Sequence, residues 1–147
     1  MADIPASVRQ LFIKAGWRFS PQGHSPTLDA NTSSQDVAAR VLAEFSGLRV
    51  GAVGPGKDLA ASDICFYSQP RPEVSVITHP WLSKVGNLSA VGTAHNDHII
   101  VLVGASGEWY AFTDPDEQLY LLGRDMGEAM ERILLGINYG TPIAPDT

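Results

Sequence analysis

The chain has a single cysteine, Cys65, among 147 residues. An internal disulfide is therefore impossible, and a reducing compartment, the cytoplasm, is the expected setting. Long hydrophobic runs are missing too. The longest falls far short of the roughly 20 apolar residues that a membrane-spanning helix needs. Met1 to Pro5 carries neither a basic n-region nor an apolar h-region, so no signal peptide is expected. Basic residues are also few, 10 against 16 acids, for a net charge of −6. That balance argues against direct binding to nucleic acid, whose phosphates need a positive surface. No internal repeat and no low-complexity tract is visible.

What is present is an ordinary globular composition, 44% hydrophobic and 18% charged. At this length one domain over residues 1–147 is expected, with a core from about residue 5 to residue 136. Asn138 to Thr147 carries Pro142 and Pro145 and reads as a loose tail. The acids are unevenly spread. Residues 97–132 hold Asp97, Glu108, Asp114, Asp116, Glu117, Asp125, Glu128 and Glu131 against only Arg124 and Arg132, which accounts for the whole net charge. Such a field steers basic partners in. The bland alternative is a merely solubilising surface.

The chain is organised around residues 98–122. His98 to Gly104 is apolar on both alternating faces, as a strand buried on both sides would be. Gly104-Ala105-Ser106-Gly107 reverses the chain, Glu108 to Phe112 returns, and Thr113-Asp114-Pro115-Asp116-Glu117 turns again into Gln118 to Leu122. Three strands joined by tight loops form an antiparallel meander. Trp109 and Tyr110 point to opposite faces of one strand; core packing is the default for both, and one left on the surface would suit a partner-binding anchor.

Helices are expected on either side. Pro5 to Ala15 has Val8, Leu11, Phe12 and Ala15 on one face and Gly16 as a C-cap. Ser34 is expected to cap a second helix carrying Val37, Ala38, Val41, Leu42 and Phe45. Arg49 to Val53 and Ile64 to Tyr67 read as strands, with Pro70 and Pro72 ending the second. Pro80 to Val85 reads as a short helical turn burying Trp81 and Leu82. Asp125 is expected to cap a last helix, with Glu128 three residues on. Two N-terminal helices, a mostly antiparallel sheet and one C-terminal helix make an α+β domain rather than a βαβ repeat.

Candidate chemistry is thin. Gly51-Ala52-Val53-Gly54-Pro55-Gly56-Lys57 has phosphate-loop spacing, but Asp58 stands where Ser or Thr should hold magnesium, and no helix follows. The expected reading is a Gly/Pro turn. His95 and His98 could chelate if the turn at His95-Asn96-Asp97 folded them together, but three apart on an extended chain they would point to opposite faces, and no second ligand cluster accompanies them; a polar turn on a sheet edge is the expected reading. Ser106 lies in a strand-to-strand loop, whereas a nucleophile elbow joins strand to helix. Cys65 sits mid-strand. No catalytic, cofactor or metal constellation is assigned. Asp97, Asp114, Asp116, Glu117 and an exposed Trp109 are the candidate partner-binding residues.

Several ordered motifs carry a family resemblance. Phe12-Ile13-Lys14-Ala15-Gly16-Trp17 resembles an F-x-x-A-G-W opening. Val41 to Leu48 resembles L-x-E-F-G-G-L, with Ser46 in place of the first glycine. Val91-Gly92 resembles the end of P-V-G, with Ala90 where proline is usual. Gly107-Glu108-Trp109-Tyr110 resembles a strand-opening G-x-V/I-Y. Leu122-Gly123, Glu128-Ala129-Met130 and Leu134-Leu135-Gly136 are similar to an L-G-x(4)-E-A-L-x-x-L-L-x-G ending. Together they span residues 12–136 and resemble the SUKH superfamily (Smi1/Knr4-like), most closely its SUKH-3 branch. The resemblance implies an α+β fold and a non-enzymatic role: many bacterial members are immunity proteins that bind and neutralise toxins, often nucleases. It implies a protein partner, and the acidic segment would suit a basic toxin domain; no cofactor and no membrane contact is expected. A regulatory or scaffolding module is the alternative, and a small hydrolase or metal-binding enzyme the remote one. Oligomeric state is not legible.

Overall fold

A computed structural model describes residues 4–17, 31–58, 60–71, 79–113 and 116–145. Six strands form one antiparallel sheet: β1 (Arg49–Val50), β2 (Ile64–Arg71), β3 (Leu88–Ala94), β4 (Ile99–Gly104), β5 (Trp109–Thr113) and β6 (Gln118–Gly123). They lie in chain order, so the meander read over residues 98–122 extends across the whole sheet. Among the described residues there are four α-helices: α1 (Ala6–Lys14), α2 (Ser34–Phe45), α3 (Leu82–Val85) and α4 (Met126–Leu135). The first, second and fourth match the expected N-terminal and C-terminal helices, and the short α3 falls in the helical turn expected over Pro80 to Val85. No described helix is long and apolar enough to cross a membrane.

The sheet is covered on both faces because its sequence is apolar on both. Val101 and Val103 of β4 point to the face packed by α1, α2 and α4, in one core with Val8, Phe12, Val37, Val41, Phe45, Trp109, Met130 and Ile133. Leu102 points the other way, into a second core with Trp81, Leu88, Tyr110, Phe112 and Leu119. Each such side chain, fully buried, stabilises by about 1.5–3 kcal/mol before entropy is counted.

The motif aromatics Phe12, Trp17, Phe45 and Trp109 fall inside the first core, and Tyr110 in the second. Phe12, Trp17, Phe45 and Phe66 form one aromatic cluster, with ring centroids 5.4–6.4 Å apart. Phe12 comes from α1, Trp17 from just beyond it, Phe45 from the end of α2 and Phe66 from β2. The cluster therefore fixes how both helices sit on the sheet. Two motif glycines are required by close backbone approach. A Cβ on Gly92 would run into the carbonyl oxygen of Cys65, beside the irregularity in β3 between Ala90 and Gly92. A Cβ on Gly123 would lie 2.7 Å from the amide nitrogen of Ala129 in α4.

Four local expectations change. The cap of α2 is Ser33, one residue earlier than expected, in a full capping box with Asp36. Ser34 instead turns its hydroxyl to Ser89, 2.9 Å away. Strand β2 runs on to Arg71 through Pro70. Its neighbour β1 begins only at Arg49, opposite Cys65, and so does not reach Pro70; no ladder bond on that side is lost to the missing N–H. Trp81 is buried, but Leu82 is 41% exposed. Within the expected loose tail, Ile143 makes contacts with the domain: its amide donates to the Leu119 carbonyl (2.7 Å) and the Trp81 indole donates to its carbonyl (2.7 Å).

Gly92→Ala should destabilise the protein by about 2 kcal/mol or more, because backbone rather than a movable side chain blocks the added methyl. Urea unfolding checks this, with Gly140→Ala as control; there nothing lies within 4 Å of an added Cβ, although its φ of +84° carries a strain cost of its own.

Candidate partner-binding surface

The acid-rich segment is divided between two ends of the sheet. Ile99 pairs with Thr113, so the β3–β4 turn and the β5–β6 turn lie side by side. Asp97, Asp116 and Glu117 are brought to this end, and all three are exposed. Asp114 lies outside the described residues. Glu108, Asp125 and Glu128 are at the opposite end, and each has a local duty. Glu108 accepts from the Tyr110 hydroxyl (3.0 Å), Asp125 caps α4 and Glu128 pairs with Arg132 (3.4 Å). Glu131 accepts from Ser7 of α1 (2.7 Å).

One device holds two of the displayed acids. Thr93 at the end of β3 donates to Asp97 (2.7 Å), and Thr113 at the end of β5 donates to Asp116 (2.6 Å). A strand-end hydroxyl thus fixes each carboxylate from behind while leaving it in solvent. The spacing is visible in the sequence as Thr93-x-x-x-Asp97 and Thr113-x-x-Asp116, but only the register shows that the two turns are neighbours.

The β3–β4 turn is conformationally costly. His95, Asn96 and Asp97 have φ of +53°, +54° and +69°. For non-glycine residues this left-handed region costs roughly 1–2 kcal/mol each, less for Asn and Asp. The buried carboxylate of Asp63, 3% exposed, offsets that cost. It accepts from the Asn96 amide (3.4 Å) and pairs with Arg49 (3.3 Å), while the Asp63 carbonyl accepts from the His95 amide (3.4 Å). His95 Nδ1 lies 3.0 Å from the Ser62 hydroxyl. Asp63, a residue the sequence reading did not single out, is thus the anchor of the turn that presents Asp97.

The expected polar turn at His95-Asn96-Asp97 is present, and its left-handed backbone decides how the two histidines sit. The chain is not extended there, and the His95 and His98 rings come within 6.4 Å of one another. Among the described residues, however, no group of three His, Cys, Asp or Glu side chains is placed to share a metal ion. Cys65 is half-buried, and its thiol is pushed up first by burial and then by the Asp63 charge.

Trp109 is not a surface anchor. It is 2% exposed in the first core, and Tyr110 is 5% exposed in the second. Alternation correctly gave them opposite faces, but both faces are covered at β5. Burial and the Glu108 contact push the Tyr110 phenol well above its usual range.

The phosphate-loop spacing has a structural purpose. The Lys57, Asp58 and Ser62 amides donate to the carbonyls of Leu135, Gly136 and Ile133 at 2.8–2.9 Å. The loop after β1 therefore caps the C-terminus of α4, and those amides are not turned toward an anion. At the far end of the sheet a cleft of about 390 Å³ lies beside the start of α2, lined by Ser33, Ser34, Gln35, Asn87, Leu88, Ser89 and Ala105. The two buried hydroxyls there, those of Ser34 and Ser89, are spent on each other.

These features define an α+β protein whose polar display is a pair of side-by-side acidic turns. The SUKH-3 immunity protein family matches residues 4–136, and the chain belongs to that family. Among curated proteins and among solved structures, nothing matches the chain.

Asp63→Ala should loosen the 95–97 turn and destabilise the fold by about 1–3 kcal/mol, since the Asn96 amide and Arg49 lose a buried partner. Amide exchange at Asn96 and Asp97 should rise more than at Val101 or Val103. Equal exchange at all four would refute the anchoring role.

Proposed function

We propose that this protein is a non-enzymatic immunity protein that binds and neutralises a cognate toxin domain, meeting a basic surface of that toxin with the Asp97, Asp116 and Glu117 end of the sheet. Membership of an immunity protein family supports a protein toxin as partner. The observation that carries the placement is the juxtaposition of the two turns, with two carboxylates held outward by threonines. Exposed acids gathered on a fixed scaffold attract a basic partner from a distance and orient it before contact. A toxin that acts on nucleic acid would present such a surface, because its own substrate groove must be positive. Blocking that groove is inhibition without chemistry by the inhibitor. Cytoplasmic residence, where such a toxin would act, belongs to the same proposal.

The test is a titration against the toxin domain encoded beside this chain, at low and high salt. One-to-one binding that abolishes the toxic activity is the expected result. The triple variant Asp97→Asn, Asp116→Asn, Glu117→Gln keeps the acceptors for Thr93 and Thr113 and removes three charges. Association should slow about tenfold at low salt, with a flatter salt dependence and an unchanged thermal melt. An unchanged on-rate and salt slope would remove this end of the sheet from the interface.

A further inference from the structure

Residues 141–145 dock at the outer edge of β6 as a strap. The Ile143 amide and carbonyl are both used, one on the Leu119 carbonyl of β6 and the other on the Trp81 indole. The Ile143 side chain joins the second core, against the group of Trp81, Phe112 and Leu119. Lys84 closes over the strap with a bond to the Ala144 carbonyl (2.7 Å). One extended aliphatic residue is therefore read as a peptide-binding groove reads its ligand, by backbone pairing to a sheet edge and a pocket for the side chain.

Two observations set the strap apart from the groove it fills. The family match ends at residue 136, so the groove residues Trp81, Lys84, Phe112 and Leu119 lie within it and the strap lies beyond it. The strap also carries Pro142 and Pro145. Proline has no N–H, and residue 145 is the next position on the Ile143 side, so the ladder stops at one rung in that direction. A proline-free strand would continue it.

We infer that the groove between Trp81 and the β6 edge is a binding site for an extended segment of a protein partner, one presenting a β-branched aliphatic residue, and that residues 141–145 are its tethered, displaceable occupant. The groove lies along β6 and α3, and its recognition is uncharged except for Lys84. The inference therefore stands apart from the acidic-end reading and does not need the toxin for its test.

The experiment uses the full chain carrying Ile143→Asp, which vacates the groove, and a labelled synthetic peptide of residues 139–147. The variant, melting within a few degrees of the parent, should bind the peptide one to one with little dependence on salt. The unsubstituted chain should bind it at least about tenfold more weakly, because its own strap competes at a millimolar effective concentration. Adding Trp81→Phe should weaken binding by about threefold to tenfold through loss of the indole bond. A peptide with Pro145→Val should bind more tightly than the native one. No binding to the folded variant, or equal affinity for the parent chain, would overturn the groove. Weaker binding of the Pro145→Val peptide would overturn the assignment to a partner strand. If Ile143→Asp does not fold, Ile143→Ala serves in the same titration with the same criteria.

Discussion

The structure depends on the need to cover β4 twice. Ile99 to Val103 is apolar at every position, so a sheet built around it must be buried on both faces. Three amphipathic helices cover one face, and Phe12, Trp17, Phe45 and Phe66 key α1 and α2 to β2. The second face has no long helix among the described residues. A short helical piece at Trp81 and the strap at Ile143 cover it instead. With both faces used, the polar display falls to the ends of the sheet, where the turns are.

That division explains the fate of the acidic segment. A meander alternates its turns between two ends, so a charge cluster that is continuous in sequence is split in space. Glu108, Asp125 and Glu128 go to one end and serve a tyrosine, a cap and an arginine. Asp97, Asp116 and Glu117 go to the other, where Thr93, Thr113 and the buried Asp63 hold the turns that show them. The rigidity of that display matters for recognition, since acids already fixed lose little entropy when a partner arrives.

The glycines and aromatics of the family motifs act in packing. Gly92 and Gly123 allow backbone to approach backbone, and Phe12 and Trp17 fill the seam between helices and sheet. They say what the fold must be and leave the contact surface open. The seam and the turns are thus separate, so turn residues can change while the seam is kept.

The α+β class, the meander, the three long helices, the short helical turn before β3 and the family were legible along the chain, because each rests on local periodicity, caps or motif order. The sequence by itself also determined that Asp97, Asp116 and Glu117 sit in turns. It did not determine that Trp109 is buried, that the tail docks, or that Lys57 and Asp58 cap α4. Those outcomes depend on what covers each face, and alternation gives a side chain's face without giving the cover. The acidic end was likewise decided only by tertiary structure, through the pairing of Ile99 with Thr113 and the left-handed turn anchored on Asp63. Register and long-range hydrogen bonds place residues 33 positions apart side by side, and no local pattern along the chain encodes that distance.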